Sequence, residues 1–284
     1  MPSIGPDSVH ENVHRRLRRA PESARVLPPS TPRSVGVLGI PLALTDYDRT
    51  LDWIDRSVAS GTRGYVCVAA VHTVMQSQED PELRAAVLGS SLTVPDGQPL
   101  VWAMNALGHN LSSRVYGPDL MDRACARAAE TGQRFYLYGG RNQGALVQLA
   151  LNLRRRHPGL RIVGGYSPPY RSLTDEERDA VIGEIDASGA DVVWVGIGVP
   201  KQEKWMAMMR PLLQTPVLIG VGAAFDFNAG LVPQAPPWLQ TAGLEWAYRL
   251  AHEPRRLWRR YLRYNPLFVA AFARQLIRHR TRRR

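Results

Sequence analysis

Cysteine is nearly missing from this 284-residue chain: Cys67 and Cys125 are the only two, too few for a disulfide framework and without metal-ligand spacing. Lysine is as scarce. Arginine supplies 34 of the 36 basic residues, and the two lysines, Lys201 and Lys204, stand together in VPKQEKW. A compact ammonium set in so uniform an arginine background suggests a spot where a planar guanidinium serves less well. No apolar run reaches the roughly 18–20 residues that cross a bilayer; the longest, at 192–199 and 217–221, are strand-sized and bounded by Gly and Pro. The opening residues, MPSIGPDSVHENVHRRLRRAPES, carry charge without an apolar core, so they are not expected to act as a secretory signal. No GxGxxG opens a helix, no GK[ST] occurs, no GxSxG elbow is present, and the seven histidines show no metal or triad spacing. These absences predict a cytoplasmic protein that is neither a dinucleotide enzyme, a P-loop NTPase nor a serine hydrolase.

The net charge of +11 is concentrated at one end. Residues 249–284 hold twelve arginines against the single acid Glu253, which accounts for the whole excess and leaves residues 1–248 neutral. A tail of this kind serves nucleic acid or an anionic membrane surface. On a helical wheel Leu257, Trp258, Tyr261 and Leu262 fall on one side, and Arg255, Arg256, Arg259, Arg260 and Arg263 on the other. That is the pattern of an interfacial helix. The competing reading is a helix packed on its own domain with a solvated basic face. The neutral body has no stripe of interleaved aromatic and basic residues, so no nucleic-acid partner is expected.

Residues 1–34 are rich in Pro, Ser and Arg without apolar periodicity and are expected to form a disordered leader. Short apolar strands are expected at 35–40, 65–70, 92–94, 135–138, 160–163, 192–196 and 217–221, alternating with helices. Asp46 can cap one helix, and Thr174 followed by Glu177 forms a capping box for another. The alternation predicts an α/β, Rossmann-like body over 35–236, with a mostly parallel sheet and helices on both faces. A C-terminal helical basic appendage, helical over 243–263 with a new start at Pro254, is expected to complete it from 237 to 284.

Ligands of open α/β sheets bind beyond the carboxyl ends of the strands. Three such ends are rich in small residues: Gly139-Gly140, the run from Gly196 through Gly198 to Pro200, and Gly220 with Gly222. Glycines there let backbone amides approach a diphosphate, and a following helix N-terminus adds partial positive charge. Lys201, Gln202 and Glu203 begin a helix at the second of these ends and are candidate nucleotide-binding residues, although Glu203 can equally serve only the helix dipole. Asp96, in TVPDGQ, is positioned to act as general base or simply to cap a helix. Asp46-Tyr47-Asp48 lies on no strand end and is read as a cap rather than a metal motif. Asp226 is a weaker acid candidate that can equally tie down a loop.

Read together, VPDGQPLVWAMNALG, RVYGPDL, FYLYGG, GIGVPKQEKW, GVGAAFDFNAG and APPWLQTAGLEWAYRLAHEPRRLWRRY resemble the WecG/TagA/CpsF family of glycosyltransferases over about residues 37–268. The resemblance implies an inverting, metal-independent enzyme without a cofactor. It would transfer sugar from a UDP-sugar, of N-acetylmannosamine, mannosaminuronate or glucose type, to a polyprenyl-diphosphate-linked saccharide for cell-surface polysaccharide. It implies that Asp96 is the general base and Gln202 a donor-pocket residue. The appendage, with Arg249, Arg255, Arg256 and Arg259, would cover the pocket and contact the lipid diphosphate or an anionic membrane at the inner face of the cell membrane; homo-oligomerisation is left open. Two departures stand out. The Thr-x-N turn of the family falls on Val68-Ala69-Ala70, and its RAP is here Gln234-Ala235-Pro236. The first motivates an alternative reading, a nucleotide-sugar-binding protein of the same fold with impaired catalysis.

Overall fold

The structure, a computed structural model, describes residues 27–282. Most of the expected leader lies outside the described residues, as do Arg283 and Arg284. The chain first makes a hairpin, β1 (Ser34–Val37) and β2 (Ile40–Ala43), in antiparallel register with Val37 opposite Ile40. Sequence alone predicts one strand over 35–40. Leu38 and Gly39 both take positive φ, 50° and 77°, which forms a two-residue turn matched to the twist of paired strands. Leu38 is the exception, since a branched side chain rarely takes that conformation and nothing in the local sequence marks it.

The body then runs α1 (Tyr47–Ser60), β3 (Gly64–Ala69), α2 (Val71–Gln76), α3 (Pro81–Leu88), β4 (Leu92–Pro95), α4 (Gln98–Ala106) and α5 (Gly117–Thr131). It continues with β5 (Arg134–Gly139), α6 (Gln143–Arg156), β6 (Arg161–Tyr166), α7 (Asp175–Ser188), β7 (Val192–Gly196), α8 (Lys201–Met209) and β8 (Val217–Gly220). Asp46 Oδ1 accepts from Arg49 N at 2.9 Å, so the acidic cluster there does cap α1. The Thr174–Glu177 capping box closes in both directions, at 3.2 and 2.9 Å.

Six strands form one all-parallel sheet in the order β4-β3-β8-β7-β5-β6. Alternate residues face opposite sides of it. Val66, Phe135, Leu137, Trp194 and Ile219 pack under α1, α5 and α6, whereas Cys67, Tyr136, Tyr138, Val193 and Leu218 pack under α2, α3, α4, α7 and α8. Burial on both faces is why these strands read as continuous apolar runs. The chain is thus a Rossmann-like α/β protein. Strand β6 outlasts the expected 160–163 because Gly164 and Gly165 are not a turn. A Cβ at Gly164 would lie 2.6 Å from the Tyr136 ring, so glycine is what lets β6 pair there.

Beyond the sheet come α9 (Ala224–Asn228), α10 (Pro237–Thr241), α11 (Glu245–His252) and α12 (Pro254–Thr281). Helix α12 does not stop near Arg263 but runs through Pro266 for 28 residues. A proline inside a helix removes one hydrogen bond; packing offsets this, since Phe268 is buried and Phe272 and Leu276 lie against the core. Its far end is pinned to the hairpin: Leu38 N donates to Gln275 Oε1 at 2.8 Å, and Gln275 Nε2 donates to the Gly36 carbonyl at 2.7 Å. The expected wheel needs correction. Leu257 is 2 % exposed against the body, while Trp258 (46 %) and Leu262 (63 %) point outward, so the apolar residues split between two faces.

Candidate active site

The ends of β3, β4, β5, β7 and β8 open into a cavity of about 1040 Å³ at the carboxyl edge of the sheet. The chain leaves β3 toward β4 in one direction and β5 toward β6 in the other, with β7 and β8 filling the centre. This divergence leaves a crevice where ligands of such sheets bind. Helices α11 and α12 wall it through Arg249, Arg256, Leu257 and Arg260.

Asp96 follows β4 and lines this cavity. Its backbone N–H donates to the Ala69 carbonyl at 2.8 Å, extending the strand pairing by one residue. Its Oδ1 accepts from Gly117 N at 2.9 Å, which aims one oxygen and leaves the other free of a backbone donor. Burial pushes its pKa up to about 6, opposed chiefly by Arg114 and assisted by Glu245. Capping of α4, the alternative role, is not observed, since Gly97 is its N-cap and it has no side-chain cap; the Gly117 amide that Asp96 does hold is the first of α5. A carboxylate ionised at neutral pH yet more basic than usual suits proton abstraction from a hydroxyl.

Arg114 sits beside it. Its Nη1 lies 2.6 Å from Glu245 Oε2, both side chains being 11 % exposed, and its Nη2 donates to Gln240 Oε1 at 2.8 Å. The guanidinium also stacks 4.1 Å over the Tyr116 ring. One arginine thereby fixes α10 and α11 against the turn that carries Asp96. Tyr47 does similar work from α1: its hydroxyl donates to Asp119 Oδ2 at 3.2 Å and accepts from Tyr116 N at 3.1 Å.

On the other side of the cavity the glycine edges of β5, β7 and β8 stand next to one another. A Cβ at Gly139 would lie 2.6 Å from the Gly196 carbonyl, and one at Gly196 would run into the Phe225 ring, so both glycines are needed for the strands and α9 to close up. Gly198, at φ 80°, has open space where a Cβ would be, and Gly140, Gly196, Gly198 and Gly222 line the cavity. Pro200, after a cis peptide bond, precedes α8 as its N-cap. Lys201 reaches over the Tyr170 ring at 4.7 Å on the cavity rim. Lys204 also lines the cavity, and its ammonium bridges Asp80 and Glu82, each at 2.8 Å.

Gln202 borders the cavity, and its Nε2 donates to Glu203 Oε1 at 2.8 Å. Glu203 is fully buried and does not line the cavity; burial lifts its carboxyl to about 7. Its place is behind Gln202 rather than against a ligand. Because the folded pKa exceeds the ordinary carboxyl value, stability falls as pH rises from about 4.5 through 7 and the loss then stays constant. Glu203→Gln is therefore expected to melt higher than the parent at pH 8, with the gain vanishing toward pH 4.5 in thermal scans. An equal difference at both ends of the range would reject the buried titration.

The six appendage arginines divide. Arg249, Arg256 and Arg260 line the cavity, whereas Arg255 and Arg259 are exposed outside it and Arg263 pairs with Glu79 at 2.9 Å. Glu253, between α11 and α12, holds Arg256 at 2.7 Å. Asp226 is bound by Arg141 through both oxygens, at 3.0 and 3.2 Å, and so ties α9 to the β5–α6 loop. Val68 and Ala70 line the cavity next to Asp96, while Gln234 is exposed outside it. Sequence reading missed Arg114, Tyr47, Tyr116, His72 and Glu245. The RVYGPDL and GLEW segments hold three of them, but no spacing rule shows that two segments about 130 residues apart meet.

Among the described residues no cluster of His, Cys, Asp and Glu could hold a metal ion, and no helix is long and apolar enough to cross a membrane. The crevice brings together glycine strand ends, the Asp96 carboxylate and three arginines of α11 and α12. The model of the glycosyl transferase WecG/TagA/CpsF family matches residues 35–282, nearly the whole chain, which therefore belongs to this family of glycosyltransferases.

Proposed function

We propose that the protein transfers a sugar, with inversion, from a UDP-sugar to a polyprenyl-diphosphate-linked saccharide in cell-surface polysaccharide synthesis. The observation that carries this reading is the placement of Asp96 between the glycine edges of β5, β7 and β8 and the arginines of α11 and α12. The UDP portion would rest on the glycine edges, near the N-terminal amides of α8 and beside Lys201 and Gln202. Asp96 takes the proton of the acceptor hydroxyl as that oxygen attacks the anomeric carbon. The bond from that carbon to the β-phosphate oxygen breaks, and UDP departs with the electron pair. Arg249, Arg256 and Arg260 supply fixed positive charge for the diphosphates, so the departing group is stabilised without reorganisation and without a metal ion.

The outward apolar residues Trp258 and Leu262, flanked by Arg255 and Arg259, suit an anionic membrane surface where such an acceptor resides. Asp96 lines the cavity beside the apolar Val68 and Ala70, and a carboxylate available there favours active transfer over the impaired-binder reading. The test is transfer from a panel of UDP-sugars to a polyprenyl-diphosphate saccharide analogue, either soluble or embedded in anionic vesicles. Transfer is expected with at least one donor. Trp258→Ser/Leu262→Ser should retain transfer to the soluble analogue and lose most of it on vesicles. UDP binding without transfer from any donor would support the impaired binder instead, and equal vesicle activity would remove the membrane role.

A further inference from the structure

His72 belongs to no part of the mechanism above, yet it lines the cavity from the first turn of α2, on the wall formed by Val68, Ala70 and Asp96. Val68 and Ala70 carry no side-chain polar group, so His72 is the polar side chain that the β3 end and the start of α2 give this wall. Burial, then Arg260 and Arg249, hold its pKa well below the ordinary imidazole value, and no protein hydrogen bond offsets them. It is a neutral ring beside two guanidiniums. Strand β3, packed under α2, carries no charged side chain. From α12 come Arg260 and, on the same cavity wall, Arg256; from α11 comes Arg249; from the β4–α4 turn comes Asp96. Glu79, beyond the far end of α2, is taken by Arg263 and Tyr264. Both Arg249 Nε and Arg260 Nε are buried with no protein acceptor. Two desolvated donors without an acceptor mark a place that an anion completes.

We propose that His72 is a diphosphate-binding residue of this site, and that it takes up a proton when a diphosphate comes to rest between Arg249 and Arg260. This rests on the transferase reading. The incoming anion reverses the field that the two arginines impose on the ring, and an opposite charge at this range raises an imidazole pKa by about one to three pH units. The proton comes from solvent on binding and returns to it on release, so no other reactant is needed. The imidazolium then adds a third cation to the diphosphate without the cost of three cations crowding an empty cavity.

Histidine-selective NMR on the full chain tests this, with the His72 ring signals assigned by their loss in His72→Gln, or in His72→Asn should the first variant not fold. The probes are inorganic pyrophosphate, UDP and geranyl diphosphate. In the free protein the ring should titrate below an ordinary imidazole, and saturating pyrophosphate should raise its midpoint by about one pH unit or more. Watching the ring itself separates it from Asp96, whose carboxyl titrates near 6. His72→Gln should bind pyrophosphate several-fold more weakly at pH 6 than the parent and differ little at pH 9. A response to UDP alone assigns the donor diphosphate, and one to geranyl diphosphate alone the acceptor; either supports the proposal. Diphosphate binding seen at other signals with an unmoved His72 midpoint overturns it while sparing the transferase reading. Failure of all three probes to bind overturns both.

Discussion

Asp96→Asn should lower transfer by about 10²–10⁴-fold while raising the melting temperature at pH 7–8. The two effects share one cause. The folded site holds an ionised carboxylate in a buried position, with a pKa of about 6 against an ordinary value near 3.8. Ionisation therefore costs stability, the cost growing as pH rises from about 4 through 6 and remaining at roughly 2–3 kcal/mol above that. Asparagine removes the charge and keeps an oxygen for the Gly117 N–H. It cannot take a proton from an acceptor hydroxyl. In the parent, kcat/KM should fall about tenfold per pH unit below 6, as the base becomes protonated. An Asn variant that is inactive but no more stable would remove the buried-charge argument; one that is stable and fully active would remove Asp96 from the chemistry.

Arg114→Met should be the most destabilising of the substitutions considered, by about 3–5 kcal/mol. It leaves Glu245 buried without its counter-charge, takes the donor from Gln240 Oε1, and takes from Asp96 the cation that most opposes its burial. The loss should appear as early melting together with a base that titrates higher, so that the acid limb of the pH–rate profile moves up. Removing both charges in Arg114→Met/Glu245→Gln should cost less than Arg114→Met alone, since no unpaired charge then remains. Additive costs would show that the pair is not the joint between the appendage and the site. This pair matters beyond stability: α11 brings Arg249 into the cavity, and Glu245 is the first residue of that helix.

Much of the fold and part of the site are legible in the order of residues alone. Strands such as 192–196 are apolar throughout because helices cover both sides of the sheet, and that pattern by itself indicates a parallel α/β body. Thr174 and Glu177, like Asp46, act within four residues of their partners, so local rules find them. The glycine edges and Asp96 are legible for a related reason: a strand's end and the turn after it are local features, and fold class says that such ends converge.

What the sequence by itself determined is therefore whatever depends on neighbours along the chain: the elements, their alternation, the neutral body with its cationic end, and the turn that presents residue 96. Only the tertiary structure decided which arginines turn inward, that Glu203 lies behind Gln202, and that Arg114 finds Glu245 while His72 faces Arg249 and Arg260. A helical wheel treats every direction outward as solvent, yet α12 lies against α2 and the hairpin, so one flank packs, a second lines the cavity and a third faces water. The energy of a buried charge depends on what the fold places within a few ångströms of it, and that distance is set by packing between segments far apart in sequence.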